Sequence, residues 1–237
     1  MVLNLQQLTG LDDSHLAPVP GGHQLQGEVW LAFRALQVDA RKAGFELAIA
    51  SSFRSFARQL AIWNGKAGGL RPVHDDRGLP VAMAELSPVE QLHAILRYSA
   101  IPGTSRHHWG TDLDVYDAAA ITQGYQLQLS PQEVAVGGLF DPLHCWLDER
   151  MAAGESRGFY RPYARDVGGV APERWHLSYA ALSSGCAVQL TAGTLESCWR
   201  CAQAGDEGLL LRREIEAALP QIMQRYVEVA GDWCPQI

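Results

Sequence analysis

SRHHWGTDLD, residues 105–114, is followed much later by ERWH, residues 173–176. The first stretch runs into Thr111–Tyr116 (TDLDVY), which alternates polar and apolar side chains. Alternation with a period of two predicts a half-buried strand. Asp112 and Asp114 lie two apart on it and therefore project to one face. His107 stands just ahead of that strand, and Glu173 and His176 share the later segment.

A catalytic zinc takes three protein ligands, usually imidazole and carboxylate, and keeps a fourth position open for water. His107, Asp114 and His176 supply two imidazoles and one carboxylate. Spacing alone does not choose between Asp112 and Asp114, since whichever is not a ligand could orient a ligand imidazole from behind. Zinc lowers the pKa of water toward neutrality. A nearby carboxylate must still take the proton and pass it to the leaving amine. Glu173, one helical turn's count before His176, is placed to face the same metal. His108 and Asp112 repeat the His-x-x-x-Asp spacing without a third ligand, so His108 is read as a non-ligand beside the cleft. Trp109 and Trp175 are read as packing residues.

Working outward, residues 25–43 place Val29, Phe33, Leu36 and Val38 at roughly helical spacing and end at Gly44, which predicts an amphipathic helix. FELAIASSF, residues 45–53, reads as a buried strand, and residues 55–64 as the next helix. The Gly- and Pro-rich stretch 65–80 reads as a long loop. Its His74, Asp75 and Asp76 are expected to be solvated, although a loop there could cap the cleft. Ser87-Pro88-Val89-Glu90 joins a Ser cap, a Pro at the first helical position and a Glu three residues after the cap, predicting a helix to about Tyr98. Ser130-Pro131-Gln132-Glu133 repeats that signal for a short helix. Residues 194–204 and 208–229 look helical and carry none of the motif residues. The expected organisation is one catalytic domain over residues 1–185, with a helical extension over 186–237 packed on it.

Bulk composition narrows the class. Hydrophobic residues make up 47% and charged residues 19% of 237, as in ordinary globular proteins. A net charge of −7 without a Lys/Arg cluster argues against nucleic acid, anionic membrane or polyanionic cell wall as a partner. No obligate protein partner is evident. The first twenty residues lack a basic segment, an apolar core and a cleavage site, so a cytoplasmic protein is expected. Five cysteines, Cys145, Cys186, Cys198, Cys201 and Cys234, form no disulfide framework. Cys198-x-x-Cys201 has no second pair to complete a metal site and is read as two free thiols.

Ser-x-His-x-x-Gly-x-x-x-Asp followed by Glu-x-x-His resembles the signature of the zinc peptidases that unite D-Ala-D-Ala carboxypeptidases with the hedgehog fold. Within that group the likeness is to the VanY-like carboxypeptidases, over roughly residues 45–180. The resemblance implies an α+β fold, a small, mainly antiparallel sheet with flanking helices. It implies Zn2+ held by His107, Asp114 and His176, and Glu173 as the base. Phe53-Arg54-Ser55 matches a Tyr-Arg-Ser-like segment, which makes Arg54 the group that meets the substrate carbonyl and its oxyanion. Gln59 and Ser105 are carried over as substrate contacts. The chain departs from many relatives in having Asp112 where they have Ala.

By the same resemblance the substrate is a peptidoglycan peptide and the leaving group a C-terminal D-amino acid, usually D-Ala. A cytoplasmic location favours L,D-carboxypeptidase action on murein tetrapeptides, with D,D-cleavage of pentapeptides close behind. Two alternatives stand beside it. One is an endolysin-type L-Ala-D-Glu endopeptidase, which needs a cleft open at both ends. The other is a non-catalytic zinc-binding interaction module, against which Glu173 argues.

Overall fold

The computed structural model describes residues 2–202 and 208–229. Cys234 lies outside the described residues. The chain opens with a one-turn helix α1 (Leu5–Leu8), held by a reciprocal capping box between Asn4 and Gln7. A two-stranded ribbon, β1 (Ala17–Val19) and β2 (His23–Leu25), follows. Helix α2 (Gly27–Lys42) buries Val29, Phe33, Leu36 and Ala40. Val38 is 48% exposed rather than part of that stripe. At about 100° per residue it lies on the opposite side from Leu36.

Strand β3 (Leu47–Ser51) leads into α3 (Phe56–Ala67), whose N-terminus is capped by the Ser55 hydroxyl accepting from the Arg58 N–H. The helix runs past Asn64, its expected end, to Gly68. Helix α4 (Pro88–Leu96) carries the expected Ser87–Glu90 capping box. A short 3-10 turn, Arg106–Trp109, precedes β4 (Asp112–Asp117). Then come α5 (Pro131–Val134), again with its capping box, and α6 (Asp141–Ala152). The short strands β5 (Phe159–Tyr160) and β6 (His176–Tyr179) follow. Helices α7 (Ala180–Gln189), α8 (Ala192–Cys201), α9 (Arg212–Ala217) and α10 (Leu219–Ile222) close the fold, the last running into a π-turn at Met223–Val227. Among the described residues no helix is long and apolar enough to cross a membrane.

The architecture is α+β. The main sheet has four strands in the order β3-β4-β6-β5, every neighbouring pair antiparallel. On one face Leu113, Val115 and Leu177 pack with Val29, Phe33 and Leu36 of α2 and with Leu143 and Leu147 of α6. Each such fully buried side chain contributes roughly 1.5–3 kcal/mol of transfer free energy.

The other face is covered as well, so β4 is not half-buried as its alternation suggested: Asp112, Leu113, Asp114 and Val115 are all buried. A second apolar cluster joins Phe56 and Trp63 of α3, Leu92 and Ile95 of α4, Leu195 and Trp199 of α8, and Ile215 of α9. The Trp63 indole N–H donates to the Leu210 carbonyl, and that of Trp199 to the Pro102 carbonyl. These bonds tie the C-terminal helices to the segments on either side of α4.

Candidate active site

Strand register assembles the site. In the β4–β6 ladder Asp114 stands opposite His176, and Asp112 opposite Ser178. Directly opposed residues share a face with their Cβ atoms about 4.5–5.5 Å apart. Two residues distant in the chain are therefore set side by side by backbone pairing alone. His107 arrives from the 3-10 turn ahead of β4. Gly110 closes that turn at φ +67°, and a Cβ there would lie 2.2 Å from Leu16 Cδ2. The motif needs glycine here for both backbone conformation and space.

His107, Asp114 and His176 are buried, and their ligand atoms lie within 4.8 Å of one another. His107 Nε2 is 3.4 Å from Asp114 Oδ2, and His176 Nδ1 is 3.5 Å from Asp114 Oδ1. The edge of a tetrahedron of zinc–nitrogen and zinc–oxygen bonds is about 3.3 Å. Asp114 Oδ1 is buried yet has no hydrogen-bond donor. An acceptor stranded in that way, between two imidazoles at these separations, fits a zinc ion as the missing partner.

Glu173 borders the same point, with Oε2 3.3 Å from His176 Nδ1. On the far side of His176, Asp112 Oδ1 accepts from Nε2 at 3.0 Å and from Arg106 Nε at 2.8 Å, and Asp112 Oδ2 accepts from the Thr111 hydroxyl at 2.6 Å. Both Asp112 oxygens are thus engaged by protein groups, and the contact with Nε2 turns Nδ1 of His176 toward Asp114 and Glu173. Arg106 also donates to the Tyr160 and Ser178 hydroxyls and lies over the Trp109 ring, 4.6 Å from its centroid. The Tyr163 ring meets His176 edge-on at 5.2 Å.

The electrostatics follow from this packing. Burial would raise Asp114, but His107 beside it, with His176 and Arg54, holds its carboxyl below the usual range. Burial likewise would raise Asp112, and Arg106 and His176 more than offset it. Burial depresses His176, yet its bonds to Asp112 and Glu173 and the charge of Asp114 raise it to about 9.

Arg54 lines the same cleft. Its NH1 donates to Gln59 Oε1 at 2.9 Å, and Gln59 Nε2 donates to the Ala100 carbonyl at 2.6 Å. Gln59 is fully buried with both amide ends engaged, and it is absent from the cleft wall. In this arrangement Gln59 braces Arg54. His108 acts on the backbone of the same residue, with Nδ1 2.6 Å from the Arg54 carbonyl and Nε2 accepting from the Gly103 N–H. Both of its nitrogens are occupied, so it cannot serve as a ligand. Burial pulls the Arg54 guanidinium below its ordinary value, while Asp114 and Glu173 pull it back. Arginine keeps its charge under such conditions.

These groups line a cleft of about 400 Å3, together with Lys66, Ser105, Tyr163 and Trp175. Ser105 offers the cleft a hydroxyl with no hydrogen bond to the described residues. Trp109 packs beneath the site. Trp175 packs with Val134 and Phe140 and also lines the cleft edge. His74 and Asp76 are exposed as expected and Asp75 is half-buried; His74 and Asp75 also border the cleft, and Asp76 pairs with Arg97. Cys198 and Cys201 are free thiols, one buried and one exposed. The residues that sequence reasoning missed are Lys66 and Tyr163, which belong to no motif, and Arg106, whose only signal was its place between Ser105 and His107.

The family model VanY, described as D-alanyl-D-alanine carboxypeptidase, matches residues 22–182. A protein of uncharacterised function from Haemophilus influenzae is 45% identical over 105 residues, covering 43% of this chain and 72% of its own. A second uncharacterised protein of that organism is 31% identical over 129 residues, covering 54% of this chain and 92% of its own. Among solved structures, VanYB in complex with D-alanine-D-alanine is similar in fold, with a TM-score of 0.52 at 18% identity over 91% of this chain and 96% of that one. With two thirds of its length matched and a buried His/Asp/His set in place, the chain belongs to the VanY family of zinc-dependent D-alanyl-D-alanine carboxypeptidases.

Proposed function

We propose that this enzyme removes the terminal D-alanine from soluble peptidoglycan peptides, acting first as an L,D-carboxypeptidase on murein tetrapeptides, with D,D-cleavage of pentapeptides as the neighbouring reaction. The observation that carries the reading is the gathering of Glu173 and Arg54 in one cleft with the His107, Asp114 and His176 set, Glu173 Oε2 lying 3.3 Å from His176 Nδ1. Bound zinc supplies a Lewis acid that acidifies water and polarises the scissile carbonyl. Glu173 takes the proton of the attacking water and delivers it to the departing amine. Arg54, held rigid by Gln59 and His108, meets the negative charge that grows on the carbonyl oxygen. Asp112 keeps His176 in the tautomer the metal needs, and Ser105 offers a hydroxyl to the peptide.

Two features support soluble fragments in a reducing compartment. The net charge of −7 opposes docking on a polyanionic wall. Four cysteines are free thiols.

The test is incubation of the zinc-loaded protein with tetrapeptide and pentapeptide, with Glu173→Ala as control and products identified by mass spectrometry. Loss of one alanine from the tetrapeptide, absent in the control, supports the proposal. Loss from the pentapeptide alone makes it a D,D-carboxypeptidase. Cleavage within the peptide makes it an endopeptidase. Zinc bound without any cleavage leaves an interaction module.

A further inference from the structure

Two cations in the cleft have no carboxylate within ion-pairing distance among the described residues. Arg54 is accounted for by the carbonyl oxygen of the scissile bond. Lys66 is not. It projects from α3, is partly buried, and its Nζ donates to the Ser99 hydroxyl at 2.7 Å. An ammonium has three donors, and this one uses a single one on protein. Ser99 is buried, and its oxygen is taken as an acceptor, so its own proton is free to donate. Lys66 and Ser99 both line the cleft.

Position and charge say what this pair is for. Ala100, the neighbour of Ser99, accepts from Gln59, which in turn braces Arg54. Lys66 and Arg54 are therefore joined through Ser99, its chain neighbour Ala100 and, behind the cleft wall, Gln59. Lys66 lies within electrostatic reach of both Arg54 and Glu173, and burial pulls its ammonium below the ordinary lysine value. Zinc's two charges are balanced by Asp114 and Glu173, and that of Arg54 by the developing oxyanion. Among the described residues Lys66 makes no ion pair and feels Glu173 only at a distance, so a partly buried ammonium with donors to spare would gain from an arriving anion.

We infer that Lys66 and Ser99 form the seat for the free carboxylate of the residue to be released. The inference rests on the carboxypeptidase reading above and names the groups that would make the enzyme read a chain end. The ammonium and the Ser99 hydroxyl supply two donors to one carboxylate, a charge-assisted pair. A terminal residue as short as alanine brings its carboxylate close to the scissile carbonyl at Arg54. A peptide that continues past this point brings a neutral amide instead and leaves Lys66 unpaired.

The test is calorimetric titration of zinc-loaded Glu173→Gln protein, which holds peptide without turning it over. The ligand is one peptide ending in D-alanine, as free acid, as C-terminal amide, and as free acid amidated at an internal carboxylate. The same three are titrated into the protein carrying Lys66→Met in addition. The expected result is a preference for acid over terminal amide of about tenfold or more, as a charged hydrogen bond provides, collapsing toward parity with Lys66→Met. Lys66→Arg should retain part of the preference, which a purely structural lysine would not explain. Where Lys66→Met does not fold, as judged by zinc content and unfolding midpoint, Lys66→Gln is read in the same way.

An acid-to-amide ratio unchanged by Lys66 substitution overturns the inference. So does a Lys66-dependent loss that follows internal rather than terminal amidation. Product analysis of the wild-type enzyme stands apart from both. Lys66-dependent acid preference with internal cleavage would uphold the seat and sink the carboxypeptidase reading, whereas D-alanine release without that preference would do the reverse.

Discussion

Asp112→Asn isolates the part of the site that lies behind the metal. The side chain keeps its shape, and an amide oxygen in place of Oδ1 still accepts from His176 Nε2 and Arg106 Nε, now 3.0 and 2.8 Å away. The Thr111 hydroxyl can turn to accept from the new NH2 group. What disappears is the negative charge. The Arg106 side chain is only 3% exposed and that of Asp112 is fully buried, so the guanidinium loses its one counterion where water cannot replace it. Leaving one partner of a buried pair uncompensated costs about 3–5 kcal/mol. The cation–π contact with Trp109 softens this by roughly 0.5–2 kcal/mol but is present in both proteins and does not change the difference. His176 also becomes a weaker donor to zinc, an effect of about 10–100-fold in metal affinity for such partners. Urea unfolding in the presence of chelator measures the first effect, and zinc competition against a chelating dye the second. Arg106→Met added to Asp112→Asn should recover part of the lost stability, because the stranded charge is then gone. A single Asp112→Asn variant within about 0.5 kcal/mol of wild type and with unaltered zinc affinity would refute the account.

Zinc affinity should rise with pH by up to about tenfold per unit as the metal displaces the His176 proton, and flatten near pH 9, where that proton leaves unaided. Stability of the metal-free protein should move the other way. A histidine raised from 6.5 to about 9 on folding stabilises fully below pH 6.5, and the contribution is lost as pH climbs through 9; chemical denaturation across that range checks it. Arg54→Ala should lower kcat by about 10²–10³ with zinc content unchanged, measured by D-alanine release and metal analysis. Gly110→Ala should cost about 1–3 kcal/mol for its positive φ, with further loss from the Leu16 contact, read from the urea midpoint.

Much of the site was legible because its chemistry is written in short strings. His107 and Asp114 flank an obligatory glycine, and Glu173 precedes His176 by a fixed count. Capping boxes at Ser87 and Ser130 announced two helices from local hydrogen-bonding chemistry alone. Legibility failed where tertiary packing decides. The alternation in β4 looks like a wet face and a dry face, but its polar residues point into a buried site. Strand β6 has four residues and β5 two, too short for any period to register. Gln59 resembles a substrate contact in sequence, and only the fold shows both ends of its amide consumed. Lys66 is one lysine on a helix until the neighbours of its Nζ are seen. Leu3 and Leu8 look incidental in a segment of weak pattern, yet they join the cluster that the C-terminal helices complete.

The pairing of Asp114 with His176 has a consequence for how the chain finds its structure. Slipping β6 by a single residue against β4 would turn His176 to the apolar core and set Leu177 beside Asp114. A strand of four residues has few ladder bonds with which to resist such a slip. The wrong register has no place for the ion, while the right one gains its full binding free energy. A bound metal would thus act as a proofreader of strand alignment. Refolding with zinc present should give fewer misregistered molecules than refolding without it.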